Sequence, residues 1–257
     1  MLMQVDLNSD MGESFGPWCM GDDAALLGIV TSANIACGFH AGDADVMAAT
    51  MRRAAENSVG IGAHPGFADL QGFGRRRLRL SEPELANLVA YQLGAAQAMA
   101  RRAGSRVRHL KLHGALSNMA SEDAGMARAC YRAALEVDPD IVLVTLAATP
   151  MEAVARELGA SHANEIFADR AYNDDATLVD RSKPGAVLHD PARAGQRMEQ
   201  MIRAGGILTE SGKLIPCRID TICVHGDNPE AVGMARAVRD HLVGAGIAVT
   251  RFAGAKG

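Results

Sequence analysis

Short apolar, β-prone runs recur along the chain at 4–8, 32–38, 59–63, 107–112, 141–146, 165–168 and 221–224. Most read as continuous rather than alternating, the pattern of strands covered on both faces. Between them lie segments carrying helix start and stop signals. "LSEPEL" holds a capping box, Ser81 with Glu84, flanked by the hydrophobic pair Leu80 and Leu85. Ser121 followed by Glu122 and Asp123 predicts another helix start, with acids at its positive end. Thr149-Pro150, Asp190-Pro191 and Asn228-Pro229 are cap-plus-proline starts. Gly159, the pair Gly205-Gly206, and Gly244 or Gly246 read as stops.

Strand then helix, repeated about seven times without a Pro/Ser-rich linker, predicts an α/β fold. The expected architecture is a single parallel seven-stranded (β/α) barrel domain over 1–257, with a doubly wound open sheet as the alternative. Two stretches break the rhythm, 178–188 and 207–215. Each reads as apolar segments around a turn (Lys183-Pro184-Gly185 and Ser211-Gly212) and predicts a small hairpin insertion.

Composition narrows the class. At 257 residues and 48% hydrophobic content, the chain can bury a sizeable core, which argues against disorder. Its 26 basic and 30 acidic residues leave no positive excess to attract nucleic acid or an anionic membrane. The five cysteines are scattered and never spaced C-x-x-C, against a disulfide framework or zinc knuckle and for a reducing cytoplasm. No apolar run approaches the roughly 18 residues of a membrane span, and the N-terminus lacks a secretory pattern.

Polar groups gather where the predicted strands end. Asn8, Asp10 and Glu13 follow the first, His40 and Asp43 the second, and His64 the third; Lys111 and His113 flank the end of the fourth. Asp169 and Arg170 follow the sixth, and His225 and Asp227 the seventh. In a βα barrel those ends share one face, so distant residues converge on one mouth. A single histidine there would usually be a core or cap residue; four accompanied by carboxylates indicate a pocket. Asp43 has two readings, a helix cap for 44–57 and a catalytic acid. His109, His162, His189 and His241 are read as structural, and Cys37 and Cys223 as small core residues. In "GFGRRRLRL", Arg75 and Arg76 are expected to capture an anion, with Arg77 and Arg79 left to solvent. No phosphate-binding loop signature occurs, and "GIGAHPG" has Pro65 at the third glycine position, so any ATP site is of another kind.

These residues sit in longer motifs: "DLNSDMGESFG" (6–16), "SANIACGFHAGD" (32–43), "GAHPGFADLQGFGRR" (62–76), "YQLGAAQA" (91–98), "KLHGALSN" (111–118), "EIFADRAY" (165–172) and "CVHGDNPEAV" (223–232). In that order, and over essentially the whole chain, the sequence resembles the LamB/YcsF family. It departs from the family pattern at Ser9, Leu112 and Ser117, where cysteine, proline and tyrosine are usual. The resemblance implies a seven-stranded barrel related to polysaccharide deacetylases. It also implies a reaction, ATP-dependent opening of 5-oxo-L-proline to L-glutamate, by a 5-oxoprolinase in which this chain works with partner subunits B and C. On that reading Asp10, Glu13, Asp43 and Asp227 would hold Mg²⁺ on the phosphates, because hard cations prefer carboxylate oxygen. His40, His64, His113 and His225 would supply acid/base groups, with Asp169 among the catalytic candidates. Asn8, Asn34, Arg75, Arg76, Lys111 and Arg170 would bind phosphate or the substrate carboxylate. Two alternatives stand beside it: a metal-dependent amide or carbohydrate deacetylase acting alone, and a non-catalytic carrier of 5-oxoproline.

Overall fold

The chain alternates strands and helices from its first described residues. The computed structural model describes residues 3–180, 182–225 and 230–256. The strands are β1 (Gln4–Met11), β2 (Ser32–Ala36), β3 (Gly60–His64), β4 (Val107–Lys111), β5 (Val142–Leu146), β6 (Ser161–Phe167), the short β7 (Gly206–Leu208) and β8 (Leu214–Pro216), then β9 (Thr221–Val224), β10 (Ala248–Val249) and β11 (Ala255–Lys256). β1 through β6 pair in order, all parallel, and β9 pairs with both β6 and β1. Seven parallel strands therefore close into a barrel, and the open-sheet alternative is excluded. The boundaries shift by one or two residues at most strands and by more at two places. β1 runs on to Met11, and β6 begins at Ser161, because its first residues pair with β5 despite their polarity.

Closure has an unusual lower seam. β9 is only four residues long and reaches Asp6–Ser9 of β1 and Glu165–Phe167 of β6. Below it the C-terminal segment takes over the exposed edges. β10 pairs with Gln4 and Val5, while β11 pairs antiparallel with Ser161 and His162. The Phe252 ring packs edge-on against His109, 5.2 Å between centroids, so the segment also covers the barrel floor.

The helices are α1 (Asp23–Leu27), α2 (Ala44–Glu56), α3 (Glu82–Arg102), α4 (Gly114–Glu122), α5 (Ala124–Val137), α6 (Pro150–Glu157), α7 (Pro191–Ala204) and α8 (Ala231–Gly244). α3 carries the expected capping box, with the Ser81 N–H donating to Glu84 Oε2 at 2.7 Å. Thr149 and Asp190 cap α6 and α7 with proline next, and α7 ends on Gly205 in the left-handed region. Ser121 does not begin a helix. It closes α4, and Asp123 caps α5 by accepting from Gly125 and Met126. Asn228-Pro229 lies outside the described residues. The 207–215 stretch is an antiparallel hairpin, β7 with β8, as expected; in the 178–188 stretch no hairpin forms among the described residues, Leu178 and Val187 make isolated bridges to Tyr172 and Arg170, and Leu178, Val179, Asp180 and Lys183 border the barrel mouth.

The register explains how the barrel is filled. Leu7, Ile35, Ile61, Leu110, Leu143, Ile166 and Ile222 face the helices and are buried there. The other face of the same strands points inward and is largely polar: Asp6, Asn8 and Asp10 on β1, Ser32 and Asn34 on β2, His109 and Lys111 on β4, Glu165 on β6 and Thr221 on β9. The strands are thus alternating where the sequence read them as continuous. β3 makes room by turning Gly60 and Gly62 inward; a Cβ on Gly62 would stand 2.0 Å from His109 Nε2.

Candidate active site

The inward polar residues form a connected floor. Lys111 Nζ lies 3.0 Å from Asp10 Oδ1, 2.8 Å from Glu165 Oε1 and 3.1 Å from Cys223 Sγ. Asn34 donates to Asn8 Oδ1 and Asp10 Oδ1, Asn8 donates to Glu165 Oε1 and Thr221 Oγ1, and His109 Nε2 meets Asn34 Oδ1 at 2.8 Å. Every member is buried or nearly so, and each amide is engaged on both its oxygen and its nitrogen. Burial opposes charge on Lys111, yet Asp10, Cys223 and Glu165 around it hold the ammonium well above its usual range. Burial likewise pushes Asp10 up, but His64 and Lys111 outweigh it and keep the carboxyl well below its usual range. Glu165 is raised by burial, with Lys111 opposing. Burial also raises the Cys223 thiol well above its usual range and Cys37 to about 12, so neither is a thiolate nucleophile.

Above the floor stands a wall of imidazoles. His64 ends β3; its Nδ1 is 2.8 Å from Lys111 O, and its Nε2 is 3.3 Å from Asp10 Oδ2. His113 opens α4; its Nε2 is 2.8 Å from Phe73 O, and its Nδ1 is 3.0 Å from His64 Nε2. His40 stacks face to face on His113 with centroids 3.6 Å apart. Glu13 Oε1 lies 3.9 Å from both His40 Nε2 and His113 Nδ1. Burial lowers His113 to about 3 and holds His40 well below its usual value, so both rings are neutral. Across the mouth, His225 Nδ1 meets the Asp169 carboxylate at 2.8 Å, and its ring stacks on Phe167.

His64, His113 and His225 border a cavity of about 560 Å³; His40, expected at the mouth, is instead buried against His113 and is not in its lining. Asp10, Glu13, His64, Lys111, His113 and His225 line it; Arg75, Arg77, Arg170 and Lys183 add cationic side chains, with Asp180 and Glu122, the latter paired to Arg77, among them. Arg170 is anchored by donating to Val179 O at 2.6 Å, and Arg75 lies over the Phe73 ring. A lining of this kind suits a small anionic solute beside groups able to move protons.

Several expectations need correcting. Asn8 and Asn34 are not at the cavity; they lie beneath it and position Asp10, Lys111 and Glu165. Arg76 points away and pairs with Asp69, bracing its own loop, whereas Arg77 borders the cavity and pairs with Glu122. Asp43 takes the cap reading: its carboxylate accepts from Asp45 and Val46 of α2 and from Gly16. Asp227 lies outside the described residues. Of the four carboxylates expected to hold Mg²⁺, Asp10 and Glu13 line the cavity, while Asp43 is taken up as a helix cap. Sequence reasoning missed Glu165 and the cavity-facing Lys183. Glu165 was legible in principle, being in period-two register with Phe167 on a strand whose neighbours face inward.

Comparison with known proteins supplies the rest. The family model described as "LamB/YcsF family" matches residues 5–257. The chain belongs to the LamB/YcsF family. A relative from Ruegeria pomeroyi, named as the A subunit of 5-oxoprolinase, is 66% identical over 98% of this chain and 99% of its own length. A second relative of that name, from Nitrobacter hamburgensis, is 55% identical over 99% of this chain and all of its own. Among solved structures, the lactam utilization protein from Thermus thermophilus superposes with a TM-score of 0.92 at 42% identity, covering 97% of this chain and all of that one. The catalytic domain of a peptidoglycan N-acetylglucosamine deacetylase from Eubacterium rectale shares the fold at a TM-score of 0.54 and 8% identity, covering 96% of this chain and 87% of that one. Among the family departures, Leu112 and Ser117 both border the cavity, and Ser9 donates to Val224 O at the β1–β9 seam.

Proposed function

We propose that this LamB/YcsF chain is the A subunit of an ATP-dependent 5-oxoprolinase, opening 5-oxo-L-proline to L-glutamate in the cytoplasm with partner subunits B and C. The names of its relatives supply the substrate class. The observation that carries the reading at the level of chemistry is the meeting of proton-transfer groups and a cationic lining in one cavity.

A five-membered lactam is an unreactive amide, so its opening has to be driven. Phosphorylation of the lactam oxygen by ATP gives ADP and an activated ring carbon. Water then adds to that carbon, the ring nitrogen leaves as the amine after accepting a proton, and an acyl phosphate remains. A second water releases phosphate and glutamate, so one ATP and two waters are consumed per ring. Two proton movements are needed on opposite sides of the carbon, one from the attacking water and one to the departing nitrogen. The Asp169–His225 dyad is suited to the first: the carboxylate holds Nδ1 and orients the ring toward the cavity. His64 lies on the opposite wall for the second. Arg75, Arg77 and Arg170 suit the substrate carboxylate and the phosphate, and Lys111 suits the charge developing on oxygen. Magnesium would enter with the nucleotide phosphates.

The test is phosphate and glutamate release from 5-oxoproline by the purified chain, alone and with subunits B and C. Coupled release of both products with the partners present, lost in His225→Ala, supports the reading. Calorimetric binding of 5-oxoproline with no turnover in the full complex would make the chain a carrier instead.

A further inference from the structure

The imidazole wall carries more than proton transfer. A backbone carbonyl only accepts, so His64 Nδ1 and His113 Nε2, each 2.8 Å from one, must both bear hydrogen. In neutral rings the remaining nitrogens are then bare, and they face each other at 3.0 Å. Asp10 Oδ2 sits 3.3 Å from one, and Glu13 Oε1 3.9 Å from the other. The two ring lone pairs thus face each other with no hydrogen between them, and Asp10 adds a further acceptor. One shared proton would settle a single pair and leave His40, whose two buried ring nitrogens have no hydrogen-bond partner.

We propose that Glu13, His64 and His113, joined by His40, bind one divalent transition-metal ion of the zinc class. Their ligand atoms all lie within 4.8 Å of one another, and ligands of a tetrahedral ion stand roughly 3.4 Å apart, so side-chain adjustments of about an ångström suffice. Three imidazoles and one carboxylate select zinc, cobalt or nickel over magnesium or calcium, which take oxygen. The anchored outer nitrogens of His64 and His113 are the arrangement that orients imidazole ligands toward a metal. Neighbouring glycines leave His40 the space it occupies: a Cβ on Gly66 would stand 2.6 Å from His40 Nδ1, and one on Gly74 2.7 Å from His40 Cβ. His40 lies parallel to His113, so it reaches the ion only after its ring tilts, which makes it the weakest ligand. The site follows from donor geometry alone; with the ion bound His64 is a ligand, and the proton for the departing nitrogen then comes from water in the cavity.

Untagged chain is stripped with a chelator and titrated with Co²⁺, followed by visible absorption and by metal analysis of the gel-filtered protein. The expected result is one equivalent bound, with the d–d bands of four- or five-coordinate cobalt. His64→Ala and His113→Gln should each weaken binding by about 100-fold or more, and His40→Ala by about 10-fold with the bands retained. Circular dichroism on each variant separates lost ligation from lost fold. The proposal is overturned if stripped, folded wild-type protein binds no cobalt with d–d bands, or if folded His64→Ala and His113→Gln bind as tightly as the wild type.

Discussion

Lys111 is the cation that balances two inward carboxylates, and replacing it with methionine tests the floor of the site directly. Methionine keeps the length of the side chain and removes the charge. Asp10 and Glu165, 3.0 and 2.8 Å from the ammonium in the native protein, would then face each other without it. Breaking a buried pair from one side costs about 3–5 kcal/mol, because the remaining charge stays desolvated. For a chain of this size that corresponds to a fall in Tm of about 6–20 °C. The deficit should depend on pH with a definite sign. Glu165 is already raised by burial, and loss of Lys111 removes the attraction that opposed the rise. A folded-state pKa above the unfolded one gives stability that is present at low pH and lost as pH rises through the folded value. The variant should therefore be nearest to wild type at about pH 5 and furthest from it at about pH 8. Urea unfolding across that range measures both effects. Adding Glu165→Gln to Lys111→Met should restore at least half of the loss. A deficit under about 1 kcal/mol that is flat with pH would refute the account of the floor as one charge-balanced unit.

Other expectations follow from the same geometry. Asp169→Asn and His225→Ala should lower turnover of the reconstituted complex by about 10²–10⁴-fold with the thermal melt near native, since the dyad lies at the cavity rather than in the apolar shell. Arg75→Ala should raise KM for the anionic substrate about tenfold, whereas Arg76→Ala, whose side chain points away to Asp69, should leave KM unchanged in steady-state assays. Asp6 is raised from 3.8 to about 6, burial outweighing the hydroxyl donors Thr221, Thr31 and Ser32. That contribution is fully present below the unfolded value and lost as pH rises through about 6, on the order of 3 kcal/mol in total. Asp6→Asn should abolish that part of the pH dependence, read by chemical denaturation between the two values.

How much of this was written in the chain can be judged residue by residue. The count and direction of the strands were legible, because apolar runs and cap signals are local: a strand needs only its own neighbours to be β-prone, and Ser81, Thr149 and Asp190 start their helices within one turn. The placing of His64, Lys111, His113, Asp169 and His225 around one mouth followed as well, since parallel units all point the same way. Sequence could not decide which of these touch. Asn8 meets Glu165 and Thr221 across 157 and 213 residues, and those pairings exist only because β9 closes the ring between β6 and β1. Nor could it separate Arg75 from Arg76, or Glu13 from Asp43. In each case two like groups stand near one strand end, and the turn of a loop aims one at the cavity and the other at a backbone or a surface partner. Residue type and period fixed what chemistry was available; closure of the barrel decided where each charge finds its counterpart.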